Sequence, residues 1–178
     1  MGQKLKTLSF LLKELRVVRR KGKRIVFTNG CYDLLHLGHI RLLRKARCLG
    51  DILIVGLNSD VSVRRLKGPH RPVNSERVRA ELLSALETVD FVVLFSEETP
   101  ERIIRKIRPH VLVKGGDWKR ARVVGKEFVE SCGGRVYLFP VVRGYSTTKL
   151  LTDRHETFSK RKSLRHYRSQ GTTRKESS

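Results

Sequence analysis

The segment Arg24-Ile-Val-Phe-Thr-Asn-Gly-Cys-Tyr-Asp-Leu-Leu-His-Leu-Gly-His39 constrains the fold more than any other stretch of the chain. Ile25, Val26 and Phe27 form a short β-branched and aromatic run, and Asn29-Gly30 has turn chemistry. Apolar residues then recur at helical spacing through Leu37, Ile40, Leu42, Leu43 and Ala46. A buried strand therefore passes through a tight turn into a helix. His36 and His39 lie on one face of its first turn, where free backbone N–H groups and the helix dipole attract anions. Such a turn is suited to gripping phosphates.

The same alternation repeats along the chain. Leu5, Leu8, Leu11, Leu12, Leu15 and Val18 recur every three or four residues, an amphipathic helix ahead of the first strand, with Gly22 ending the connection. Gly50 stops the next helix, and Asp51 to Leu57 reads as a second strand, apolar on both faces as a covered parallel strand is. A short helix near Ser59 to Leu66 leads to Lys67-Gly-Pro-His-Arg-Pro72, a Gly/Pro loop with basic side chains, read as mobile and phosphate-facing. A helix from Ser75 to Leu86, a strand Phe91 to Phe95, a helix Pro100 to Ile107 and a strand Val111 to Val113 follow. A helix around Val124 to Ser131, a strand Arg135 to Phe139 and a last helix from near Ser146 complete the pattern.

Strands alternating with helices predict an α/β fold: a Rossmann-like, doubly wound parallel sheet of about five strands with helices on both faces. All strand C-termini then share one edge, where ligands bind. Thr28 to His39, Asn58 to Asp60, Lys114 to Asp117 and Arg143 to Thr148 each follow a strand, so they are expected to converge. Residues 1–22 are read as a helix packed on the core and 23–151 as the main domain. From 152 to 178 almost nothing can be buried, so a disordered basic tail is expected.

With 39 Lys and Arg against 17 Asp and Glu, the net charge of +22 attracts polyanions but does not choose among metabolites, nucleic acids and acidic lipids. Cys31, Cys48 and Cys132 have no CxxC spacing, and an odd count argues against a disulfide framework, so a reducing cytoplasm is expected. No stretch approaches the roughly 20 apolar residues that span a bilayer, and the N-terminus has no signal pattern. A soluble protein with no membrane partner is the reading.

Neither GxxxxGK[ST] nor a GxGxxG after the first strand is present. Instead His36-Leu-Gly-His39 resembles the HxGH signature of the nucleotidyltransferase superfamily that includes the class I aminoacyl-tRNA synthetases. Lys67-Gly-Pro-His-Arg-Pro72, Arg79-Ala-Glu-Leu-Leu83, Leu112-Val-Lys-Gly-Gly-Asp-Trp118 and Gly144-Tyr-Ser-Thr-Thr148 follow in the order of one branch. From about Leu8 to Leu151 the set resembles the heptose 1-phosphate adenylyltransferases of ADP-heptose synthesis. The resemblance implies transfer of AMP from ATP to D-glycero-β-D-manno-heptose 1-phosphate, with loss of pyrophosphate, toward the lipopolysaccharide core.

The resemblance also implies roles. His36 and His39 would donate to the α-phosphate and its neighbours, with Thr28, Asn29 and Gly30 letting the backbone approach ATP. Lys67 would neutralise phosphate from its loop, and Arg79 would hold the β- or γ-phosphate. Where the family usually has acidic residues before this arginine, Arg77 and Val78 stand here. Lys114, Gly115 and Asp117 would face the nucleoside or sugar phosphate, and Ser146, Thr147 and Thr148 the triphosphate from a helix start. Related cytidylyltransferases have an arginine five residues before that serine; Val141 occupies the position here and Arg143 is displaced from it.

Asn58, Asp60 and Arg71 are candidates for the sugar phosphate, although Asn58-Ser-Asp60 is also helix-start chemistry. Asp33 joins them, with capping the helix or orienting a histidine favoured over binding metal. Magnesium is expected to arrive with ATP rather than in a protein cage. A homodimer and a separate heptose kinase upstream are the implied partners. Two other readings stay open: a cytidylyltransferase acting on glycerol 3-phosphate or another alcohol phosphate, and a nucleic-acid-binding protein on a retired transferase fold.

Overall fold

The computed structural model describes residues 4–116, 123–140 and 144. The chain divides into two units, Met1–Val142 and Arg143–Ser178, and every element named below lies in the first. In order these are α1 (Leu8–Arg20), β1 (Ile25–Gly30), α2 (Leu37–Arg47), β2 (Ile52–Asn58), α3 (Asp60–Lys67) and α4 (Glu76–Ala85). Then come β3 (Phe91–Phe95), α5 (Glu101–Ile107), β4 (Val111–Gly115), α6 (Lys126–Ser131) and β5 (Arg135–Phe139).

The five strands form one sheet in the order β3-β2-β1-β4-β5, every pair parallel. Alternate side chains of β1 enter different cores. Ile25 and Phe27 pack with Leu11 and Leu15 of α1, Ile104 of α5 and Val129 of α6. Val26 packs on the other face with Leu42, Leu43 and Ala46 of α2 and Leu83 of α4. Each such fully buried side chain is worth roughly 1.5–3 kcal/mol. The doubly wound parallel sheet read from the sequence is the fold observed.

Side-chain caps begin three of the helices: Thr7 accepts from Phe10 N at 3.3 Å, Ser59 from Ser62 N at 3.3 Å and Ser75 from Val78 N at 3.5 Å. Two local expectations are corrected. Leu5 does not start the first helix; it forms a parallel bridge with Val92, with Lys6 N donating to Val92 O and Val92 N to Lys4 O, both at 2.9 Å. β3 is an edge strand, and this segment pairs its open backbone groups. Asn29-Gly30 is not the turn but the end of β1, in register with Gly56 and Leu57. The turn comes next, with Tyr32 at φ +45°.

From β1 the chain crosses to β2 on one side, and β4 lies on the other. The C-terminal ends of β1 and β4 thus flank the switch point, where a crevice opens in sheets of this kind. The expected last helix from Ser146 and the tail 152–178 lie outside the described residues.

Candidate active site

At the end of β1 the backbone turns through Cys31 to Leu35 and delivers His36 as the N-cap of α2. His36 makes no side-chain cap; its carbonyl accepts from His39 N at 2.9 Å. The two imidazoles stack with centroids 3.8 Å apart and planes 23° from parallel. The Tyr32 ring lies 5.0 Å from that of His39, and a Cβ at Gly30 would sit 3.2 Å from the Tyr32 ring. Glycine at that position lets the tyrosine support the histidine.

Nδ1 of each histidine is buried without a hydrogen-bond partner among the described residues. Burial lowers the pKa of His36. Burial, then the His36 ring and the Lys67 ammonium, push His39 down to about 4, against an opposing pull from the Leu34 backbone. Both rings are therefore neutral near pH 7, each carrying one N–H. An incoming phosphate would reverse this bias by favouring protonated, donating imidazoles.

Two lysines complete this group. Lys67 is the exposed last residue of α3, and its charge acts on both His39 and Cys31. Lys114, near the end of β4, donates from Nζ to Asn29 Oδ1 at 3.2 Å across the switch point, and burial lowers its pKa. Behind them Gly115 lies against α2, where an added Cβ would collide with Leu42 Cδ1. Cys31, half-buried among these charges, has its thiol pushed up by burial.

A second set of expected site residues is used differently. Arg79 has no exposed surface. Its Nε donates to Asn74 O at 2.9 Å, Nη1 to Cys31 O at 2.6 Å and Asn58 O at 2.9 Å, and Nη2 to Asp60 Oδ1 at 2.7 Å. The guanidinium expected against a phosphate is thus surrounded by protein acceptors. Asp33, 2% exposed, neither caps α2 nor meets a histidine. Its Oδ1 accepts from Val73 N at 2.7 Å and Asn74 N at 3.1 Å. Its Oδ2 lies 2.8 Å from Arg71 Nη1, an ion pair without the alignment of a hydrogen bond.

Asn58 ends β2 and donates to Ser62 Oγ at 2.9 Å, and Asp60 N donates to Glu76 Oε2 at 2.8 Å. These contacts fix the start of α3. Arg71, Asn58 and Asp60, read as sugar-phosphate candidates, are all committed to protein partners. The Lys67 to Pro72 loop, read as mobile, is tied down at its far end by Asp33. Asn74 and Tyr32 carry no motif signal in the sequence. Asp117, Ser146, Thr147 and Thr148 lie outside the described residues.

Among the described residues no group of three or more His, Cys, Asp and Glu side chains could hold a metal ion. No described helix is long and apolar enough to cross a membrane. Among the described residues the arrangement offers neutral imidazoles and ammonium groups at the ends of β1, α3 and β4. It can position and neutralise an anion.

A five-stranded parallel sheet with helices packed on both faces is the architecture of nucleotidyltransferase-type α/β folds. The chain belongs to the cytidylyltransferase-like family, whose model matches residues 27–152. It is 57% identical over 148 residues to the bifunctional protein HldE of Geotalea uraniireducens (strain Rf4), covering 83% of this chain and 30% of that protein. With bifunctional protein HldE of Bradyrhizobium sp. (strain ORS 278) it shares 56% over 141 residues, 79% of this chain and 29% of the relative. The chain thus spans under a third of the length of these relatives.

Among solved structures it is similar to the lipopolysaccharide core biosynthesis protein from Thermoplasma volcanium GSS1, with TM-score 0.57 and 28% identity over 70% of this chain and 100% of that one. A pantoate-beta-alanine ligase from Francisella tularensis, complexed with beta-gamma ATP and beta-alanine, shares the fold at TM-score 0.57 and 16% identity, covering 79% and 67% of the two chains.

Proposed function

We propose that this protein is an adenylyltransferase that converts D-glycero-β-D-manno-heptose 1-phosphate and ATP into ADP-heptose and pyrophosphate, for the lipopolysaccharide core. The observation that carries the proposal is the stacked His36/His39 pair, with buried unpartnered Nδ1 atoms, beside Lys67 and Lys114 at the switch point. The choice of sugar phosphate rests on the motif set from Lys67 to Thr148 and on the similarity to HldE proteins and to a lipopolysaccharide core biosynthesis protein.

The reaction needs no covalent enzyme intermediate. An oxygen of the sugar 1-phosphate attacks the α-phosphorus, the bond from the α-phosphorus to its bridging oxygen breaks, and pyrophosphate leaves with that electron pair. His36 and His39 donate to oxygens of the α-phosphate as their negative charge grows, and the neutral resting rings make room for proton uptake. Lys67 faces the leaving phosphates, while Lys114 and the glycine backbone near it hold the other substrate end. Asp117, Ser146, Thr147 and Thr148 belong to the same proposal as ATP contacts. Magnesium enters as part of the MgATP substrate. A homodimer in the cytoplasm, supplied by a heptose kinase activity, completes the reading.

Pyrophosphate release by the purified protein, with ATP or CTP crossed against heptose 1-phosphate and glycerol 3-phosphate in the presence of magnesium, tests it. Turnover with ATP and heptose 1-phosphate alone is expected. Preference for CTP with an alcohol phosphate would move the protein to the other transferase reading. Silence with every pair, joined to tight salt-sensitive RNA binding, would refute both.

A further inference from the structure

Three connections meet around Arg79: the β1–α2 turn through Cys31 O, the β2–α3 junction through Asn58 O and Asp60, and the α3–α4 loop through Asn74 O. Asp33 bridges two of the three again, accepting from the Val73 and Asn74 backbone and pairing with Arg71. Asn74 closes the circuit by donating from Nδ2 to Asp33 O at 3.1 Å. Four of the five N–H bonds of Arg79 are engaged, two of them on backbone carbonyls held by one nitrogen. A guanidinium that left them for a phosphate would strand buried acceptors from three segments.

Lys67 sits between two of these anchors. Its helix starts at Asp60, which is fixed by Arg79, and the loop after it ends at Arg71 to Asn74, which is fixed by Asp33. We infer that Arg79, Asp33 and Asn74 form a positioning clamp that holds Lys67 against the His36/His39 turn, and that Arg79 itself meets no phosphate. This deepens the proposed function and rests on its assignment of that turn as a phosphate site. Asn74, outside every recognised motif, is the residue that joins the clamp's two halves.

A double-mutant cycle in the full chain tests the clamp, with inorganic tripolyphosphate as calorimetric probe and deuterium exchange of residues 67–73 as a readout that involves no ligand. Lys67→Ala and Asn74→Ala are each expected to weaken tripolyphosphate binding about tenfold, the worth of one charge-assisted contact. The double variant is expected to bind no more weakly than Lys67→Ala alone, because Asn74 acts through Lys67. In Asn74→Ala the 67–73 segment should exchange faster while β1 and α2 stay protected. Arg79→Lys keeps a charge but cannot span the three carbonyls, so it should lose as much binding as Asn74→Ala.

Additive losses in the cycle, an unchanged exchange rate for 67–73, or wild-type binding by Arg79→Lys would each overturn the clamp. An asparagine that merely stabilised the fold would lower the melting temperature without coupling to Lys67. Should adenylyl transfer fail in the wild type, the functional reading falls while the exchange experiment still decides the clamp.

Discussion

His36 and His39 keep buried Nδ1 atoms without partners among the described residues, whereas Arg79, across β1 and β2, has its guanidinium wrapped by four protein acceptors. Both groups are polar and both lie near strand C-terminal ends, yet the histidines hold buried hydrogen-bonding capacity in reserve while Arg79 spends four of its five N–H bonds on protein acceptors. Unsatisfied buried polar atoms are costly, and they persist where a ligand completes them. Fully satisfied ones rigidify. The contrast divides the site into a ligand-facing group on β1, α2, β4 and the last residue of α3, and a supporting group at the end of β2, the start of α3 and α4.

The largest effect that could break this division is on the histidines. His39→Ala should lower nucleotidyl transfer by about a hundredfold or more, the usual loss for one donor aimed at transition-state charge, with the melting temperature nearly unchanged. Unaltered turnover would remove the histidines from the ligand-facing group. Lys67→Ala should act mostly on binding, raising KM for ATP about tenfold with a smaller change in kcat, as steady-state kinetics would read.

Gly115→Ala sharpens the boundary from the packing side. The new methyl meets Leu42 Cδ1 of α2, so a loss of about 1–3 kcal/mol is expected in denaturant unfolding, and a neutral result would mean that the Leu42 side chain turns aside. A further test is electrostatic. His39 is depressed to about 4 in the folded state against an ordinary value of 6.5, so the unfolded chain binds more protons between those values. Stability of the ligand-free protein should therefore fall as pH drops from about 6.5 toward 4, and His39→Asn should flatten that slope. A slope identical in the two proteins would contradict the buried neutral ring.

Much of the fold is legible in local chemistry. Phe91 to Phe95 and Arg135 to Phe139 are strands with the bounds their apolar β-branched and aromatic runs suggest, because covered parallel strands must be apolar on both faces. Leu5 misleads for a non-local reason: helical spacing continues through it, but the unpaired edge of β3 competes for its backbone and wins. Asn29-Gly30 misleads likewise, since turn residues stay extended when Gly56 and Leu57 offer a ladder.

The site shows the same limit. The spacing of His36 and His39 marks them as neighbours, and Lys114 at a strand end suggests a place beside β1, where it donates to Asn29. Arg79 is different, because its partners are mostly backbone carbonyls far along the chain, and any sequence supplies those. Nothing local distinguishes an arginine that binds phosphate from one that binds loops. Asn74 is legible only once Asp33 and Arg79 are seen on either side of it.

Following the α-phosphorus itself tests the central claim most directly. With α-labelled ATP, magnesium and heptose 1-phosphate, the label should leave ATP only when the sugar phosphate is present and appear wholly in ADP-heptose. The protein should carry none at any time point of a single turnover. Label trapped on the protein, or label that stays in ATP with every acceptor tried, would contradict the account.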